Sequence, residues 1–110
     1  MEITVEIYYN TGHNFTEFDP AKDLIEFVAA EVVDCPTTSL DGLRQVAEQI
    51  YAGWNAGSGQ ESEKFLSSKC RSLSVGDVLV FPEIETSLAC APLGWSVVSP
   101  DPDFMFRRVA

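Results

Sequence analysis

Basic residues are scarce in this sequence. Seven Lys and Arg stand against 17 Asp and Glu in 110 residues, a formal net charge of -10. A protein that holds nucleic acid through its phosphates needs the opposite sign, so direct DNA or RNA binding is not expected. Histidine is scarcer, with His13 alone in a polar turn beside Asn14. The three cysteines, Cys35, Cys70 and Cys90, are odd in number, far apart and without a Cys-x-x-Cys pair. That excludes a disulfide framework and points to a reducing, cytoplasmic setting. One His and three scattered Cys do not make a zinc motif, and the acids do not follow the calcium-loop pattern. No metal or cofactor is expected. Gly57-Ser58-Gly59 lacks the Gly-Lys-Ser/Thr ending of a phosphate loop and follows a helical pattern instead of a strand. No apolar run reaches the roughly 20 residues of a membrane span. The opening Met1-Glu2-Ile3-Thr4-Val5-Glu6 has no basic n-region, so neither a membrane segment nor a signal peptide is expected.

What is present suffices for a core. Hydrophobic residues make up 45% of the chain, and a chain of this length buries roughly two-thirds of its unfolded surface. One domain over residues 1–110 is expected. The acidity is uneven. Residues 1–34 hold eight acids against Lys22 alone, residues 35–68 are at -2, and residues 69–110 are at -1.

Glu2 to Tyr9 alternates strictly, with Ile3, Val5, Ile7 and Tyr9 on one side, the pattern of a half-buried strand. Asn10-Thr11-Gly12 ends it. Asp19-Pro20 has the form of an N-cap and first helical position. Ala21, Leu24, Ile25, Val28 and Val32 then follow helical spacing, which predicts a first helix that Cys35-Pro36 stops. Thr38 to Asp41 reads as a capping box opening a second helix, with Leu40, Leu43, Val46, Ala47, Ile50, Tyr51 and Trp54 on one face. Gln60 to Lys69 is polar and suits either a loop or a short helical turn. Strands are expected at Val78–Phe81, Thr86–Ala91 and Trp95–Val98, with turns at Gly76-Asp77 and Pro92-Leu93-Gly94. Phe104–Val109 suits an edge strand or a docked tail. The expected class is α+β, in the order β-α-α-β-β-β. Two helices would pack on one face of a mostly antiparallel sheet of about four to five strands.

Three stretches carry a family resemblance: Ala47 to Asn55, a helix ending in an aromatic-Asn pair; Arg71-Ser72-Leu73-Ser74-Val75-Gly76-Asp77-Val78; and Ala89 to Trp95, a strand and turn ending in Gly-aromatic. In this order they resemble the YodL-like domain of small phage, plasmid and conjugative-element proteins, over about residues 46–99. The resemblance brings no catalytic residues. It implies a mobile-element setting, in which small accessory proteins act on host or defence proteins.

The chain is thus expected to be non-enzymatic: an accessory protein that binds, and inhibits, a partner with a basic surface. Glu2, Glu6, Glu17, Asp23, Glu26, Glu31 and Asp34 are the candidate contact residues. A sharper form is mimicry of nucleic-acid charge, which needs carboxylates spaced like phosphates. The rival readings are a binding or structural module of unknown ligand and a cysteine-dependent enzyme. For the latter, Cys70 between Lys69 and Arg71 is the candidate nucleophile and His13 the candidate base.

Overall fold

The computed structural model describes residues 1–12, 15–19 and 23–98, with the backbone of residues 108 and 109. The alternating opening segment is strand β1, Glu2–Asn10, with Ile3, Val5 and Ile7 buried toward one face. Strand β2, Ile25–Asp34, returns antiparallel beside it. Helix α1, Leu40–Gly53, and the short helix α2, Glu63–Ser68, follow. Strands β3, Val78–Phe81, β4, Thr86–Cys90, and β5, Trp95–Val98, form an antiparallel meander, and β6, Arg108–Val109, lies parallel to the start of β2. The sheet order is β5-β4-β3-β1-β2-β6. The α+β class, the mostly antiparallel sheet and the strands of the last third are as the sequence led us to expect.

One expected element is replaced. Residues 25–34 form β2 and not a helix. Two causes combine. Ile25, Val28, Val32 and Val33 are β-branched, which favours a pleated, half-buried surface. In addition β2 carries a bulge: Ile7 pairs with Ala29 and Tyr8 with Phe27, leaving Val28 as the extra residue. A bulge shifts the phase of alternation by one residue. Ile25 and Phe27 therefore share a face with Ala30 and Val32, and the broken period of two imitates the three-and-four spacing of a helix. Two residues expected in a buried stripe are instead exposed, Val32 at 64% and Leu24 at 48%. Asp19 therefore heads no helix running through residues 25–34. Its backbone N–H donates to the Asp23 carboxylate and its carbonyl accepts the Asp23 N–H. Pro20 to Lys22 fall outside the described residues, as do the Asp101-Pro102-Asp103 turn and Phe104 to Arg107.

Helix α1 starts one residue later than the capping box suggests: Ser39, not Thr38, is the N-cap and accepts from the Gly42 N–H. A side chain at Gly42 would collide with the Thr37 carbonyl. Leu43, Val46, Ala47 and Ile50 face the sheet, and Trp54 closes the helix fully buried. The polar stretch left open by the sequence contains α2, capped by Ser62, whose single buried residue, Phe65, meets the Trp54 ring edge-on at 5.6 Å. Both helices cover the face bearing Ile3, Val5, Ile7, Leu79 and Phe81. The opposite face buries a smaller cluster of Tyr8, Ile25, Val78, Val80, Ala89 and Val98, with Phe18 packed against it.

Candidate functional site

The register of β1 against β2 decides where the acids point, because residues directly opposite in an antiparallel pair share a face. Glu2 pairs with Asp34 and Glu6 with Ala30, so Glu2, Glu6 and Asp34 lie on the face away from the helices, beside Val32 and Phe27. Glu31 pairs with Val5 and Glu26 with Tyr9, which puts both on the helix face. There Glu31 accepts a hydrogen bond from the Trp54 indole at 3.0 Å. Glu17 is exposed in the connector. Asp23 is half-buried, accepting from the Asn10 side chain at 3.3 Å and the Asp19 amide at 2.8 Å. The seven candidate acids therefore do not form one surface. Three share an open sheet face, two lie on the other face, and two belong to the connector. On the open face Glu6 accepts from the Tyr8 hydroxyl at 3.2 Å, and Asp34 from the Met1 amino group at 3.0 Å.

The same open face holds apolar groups that the helices leave uncovered. Val32 is 64% exposed and Phe27 46%, the latter edge-on to Tyr8 at 5.6 Å. Beyond Glu26 no strand among the described residues pairs with the outer side of β2.

The Gly76-Asp77 turn is structural, and it does more than turn the chain. Asp77 is fully buried and forms a bidentate ion pair with Arg71, at 2.7 and 2.8 Å. It also accepts the backbone N–H groups of Asn10 and Ser74, each at 2.8 Å. Four donors satisfy one buried carboxylate, as burial of a charge demands. β1 is longer than its neighbour β3, so amides of β1 emerge beyond both ends of the shared ladder. Asp77 takes the Asn10 amide at one end. At the other, Pro82 halts β3, and the Glu83 carboxylate accepts from the Thr4 N–H at 3.1 Å and the Thr4 hydroxyl at 2.8 Å. Those bonds, the hydroxyl's foremost, hold the Glu83 carboxyl below its usual range. The Arg71 guanidinium lies 4.2 Å from the centre of the Tyr9 ring, a cation-π position. Burial above all pushes the Tyr9 phenol up, and its bond to Cys70 adds to this. The Arg-to-Asp spacing within residues 71–77 therefore builds a fold joint and not a reaction centre.

Cys70 and Cys90 sit in different surroundings. His13 lies outside the described residues. Cys70 is half-buried, its sulfur 3.7 Å from the Tyr9 hydroxyl, and its basic neighbour Arg71 is committed to Asp77. Cys90 is buried, and burial first, then the negative Asp77 and Glu48, push its thiol up to about 11, the reverse of what a reactive thiolate requires. Cys90 borders a cleft of about 230 Å³ between α1 and the β4–β5 turn, with Glu48, Tyr51, Pro92 and Trp95 among its walls. The Trp95 indole donates to Glu48 at 2.9 Å, so the cleft's carboxylate already has an internal partner. The space is smaller than the roughly 300 Å³ at which small-molecule sites begin. Among the described residues no group of three or more His, Cys, Asp and Glu is placed to hold a metal ion, and no helix is long and apolar enough to cross a membrane.

Comparison with protein-family models, curated proteins and solved structures finds no match to this chain. The YodL-like resemblance rests on its three sequence blocks. Of these, the 71–78 block is the one whose residues, Arg71 and Asp77, form the joint described above.

Proposed function

We propose that this chain is a non-catalytic binding protein that meets a basic surface of another protein with the open face of the β1–β2 pair. The observation that carries this reading is the sharing of one uncovered face by Glu2, Glu6 and Asp34 with exposed Val32 and Phe27. Apolar anchors rimmed by charge are the usual anatomy of a docking patch. The YodL-like resemblance adds a mobile-element setting, in which the partner would be a host or defence protein and binding would inhibit it. The proposed contact set is narrower than the acidic third of the sequence. Asp23 is engaged within the connector, and Glu31 braces Trp54.

The test starts from a partner recovered from host extract and then titrated, purified, at two salt concentrations. Reversal of the open-face acids in a Glu2→Lys, Glu6→Lys, Asp34→Lys variant should weaken binding by about tenfold, since rim charges contribute roughly 0.5 kcal/mol each and 1.4 kcal/mol is a factor of ten. Binding by the native chain should also fall as salt rises. Reversal of Glu63 and Glu85, exposed elsewhere, should leave affinity within about threefold on the same arithmetic. Equal losses from the two sets, or binding indifferent to salt, would reject the reading and leave the charge as a solubility device.

A further inference from the structure

The outer edge of β2 has a defined hydrogen-bonding state. The amides of Thr4 and Asn10 point from β1 toward the β3 side, where Glu83 and Asp77 receive them. Alternate residues of a strand point their N–H and C=O groups the same way. Glu6 and Thr4 therefore exchange no bonds with Ala30 and Val32 opposite them, and Ala30, Val32 and Asp34 direct their backbone groups outward. The Lys64 side chain confirms the direction, since its Nζ donates to the Ala30 carbonyl from outside the sheet. β6 pairs only with Ile25 and Glu26. Among the described residues no strand pairs with the edge from Ala30 to Asp34, which thus offers a template for one more strand.

We propose that this edge takes up an extended, basic segment of another protein as an added strand, antiparallel or parallel, with main-chain bonds to Ala30, Val32 and Asp34. The proposal rests on the docking reading above and gives it a binding mode. Charge chooses the occupant. β2 carries Glu26, Glu31 and Asp34, with Glu2 and Glu6 one strand further in. A second copy pairing edge to edge would bring those acids against themselves, which is destabilising for like charges on facing strands. A segment alternating Lys or Arg with β-branched residues meets the opposite case. Its bases share the open face with Asp34, Glu2 and Glu6, while its apolar side chains take the helix face beside Val33. The Lys64 amine already occupies the Ala30 carbonyl, so the added strand finds its main-chain acceptors at Val32 and Asp34 and meets Ala30 through its N–H. Strand addition derives affinity from the main chain and specificity from alternate side chains, which suits an edge of this length.

The experiment uses the full chain and a heptapeptide of alternating lysine and valine as probe, beside the same peptide N-methylated at every residue, which removes its donors and obstructs both of its edges. The unmodified peptide should bind and slow hydrogen exchange at the Ala30, Val32 and Asp34 amides. N-methylation should weaken binding by at least about tenfold, the equivalent of one or two lost main-chain bonds. Val32→Pro removes an outward N–H at a position where an edge strand tolerates proline. It should produce a similar loss, with an unchanged circular dichroism spectrum. If that variant does not fold, the comparison of the two peptides decides alone. Equal binding of both peptides, still sensitive to the open-face charge reversals, would overturn strand addition and leave the basic-partner reading standing. Binding of neither peptide would overturn strand addition, with the recovered-partner titration judging the reading beneath it. A dimer by sedimentation of the chain alone, with the three amides already protected, would assign the edge to a second copy and overturn the proposal.

Discussion

Replacing Asp77 with Ala should be among the most damaging single changes this chain can undergo. The carboxylate is fully buried and has four donors. Its loss strands the Asn10 and Ser74 amides, each costing about 1–3 kcal/mol if water cannot reach them. It also leaves the Arg71 guanidinium without its partner. That side chain is 33% exposed, so solvent offsets part of the charge penalty and the ion pair is discounted to about 1 kcal/mol. The total is about 3–7 kcal/mol, which overlaps the range for breaking a buried pair. Arg71→Ala should also cost about 3–5 kcal/mol, because it leaves the fully buried Asp77 carboxylate charged with only its two amide donors. Urea unfolding would measure both. With a slope of about 2 kcal/mol/M, Asp77→Ala should move the midpoint by roughly 2 M. An Asp77→Ala shift below about 0.5 M would show that the amides find other acceptors and that Asp77 does not join β1 to the 71–77 turn.

Two further outcomes follow from burial and backbone geometry. Cys90, its thiol raised to about 11 from an ordinary 9.0, should alkylate at pH 8 at least about a hundredfold more slowly than a free thiol, and far more slowly than half-buried Cys70, as read by mass spectrometry. Because the folded value lies above the unfolded one, its contribution to stability is complete below about pH 9 and lost as pH rises through about 11. The Cys90→Ala variant should accordingly lose less stability than the native chain between pH 8 and 10.5, and an identical pH profile would place Cys90 outside the core. Gly94 and Gly76 both hold positive φ, at 75° and 96°, but a Cβ would meet nothing near Gly94 and would lie 2.5 Å from the Thr16 carbonyl at Gly76. Gly94→Ala should therefore cost about 1 kcal/mol, the conformational term alone. Gly76→Ala should cost clearly more, and equal melting temperatures for the two variants would refute the close approach of the connector.

The strands and α1 were legible in the sequence wherever one local period held along a whole element. β1 alternates without interruption, α1 keeps its apolar stripe from Leu43 to Trp54, and Gly94 stands where a turn needs positive φ. The short helix α2 was not decided, because Phe65 is its only buried residue and one apolar position sets no period. Asp19-Pro20 misled because a good local cap does not make a helix: nine rungs of pairing with β1 outweigh it. The contact residues were legible as a composition but not as a surface. Strand pairing, which no local pattern encodes, separates Glu31 and Glu26 from Glu2, Glu6 and Asp34. Arg71 and Asp77 both lay within a block already singled out, yet their pairing emerged only when the turn placed Asp77 under β1.

The bulge at Val28 links the misread segment to the proposed site. Upstream of it Ile25 is buried on the open face and pairs with β6; downstream, the strand is an uncovered edge. Without the extra residue every later side chain would change sides. Glu31 and Val33 would then turn outward, the Trp54 indole would lose its carboxylate acceptor, and Val32 and Asp34 would be forced beneath the helices. The bulge keeps the buried half of β2 in register with the core while delivering Val32 and Asp34 to the open face beside Glu2. It also spaces the edge, since the irregular backbone at Val28 lies between the β6 rungs and the outward-facing groups of Ala30, Val32 and Asp34. The irregularity that hides the strand from a reading of period is thus the feature that lets Ile25 stay buried and Val33 pack on the helix side while Val32 and Asp34 reach the proposed docking face.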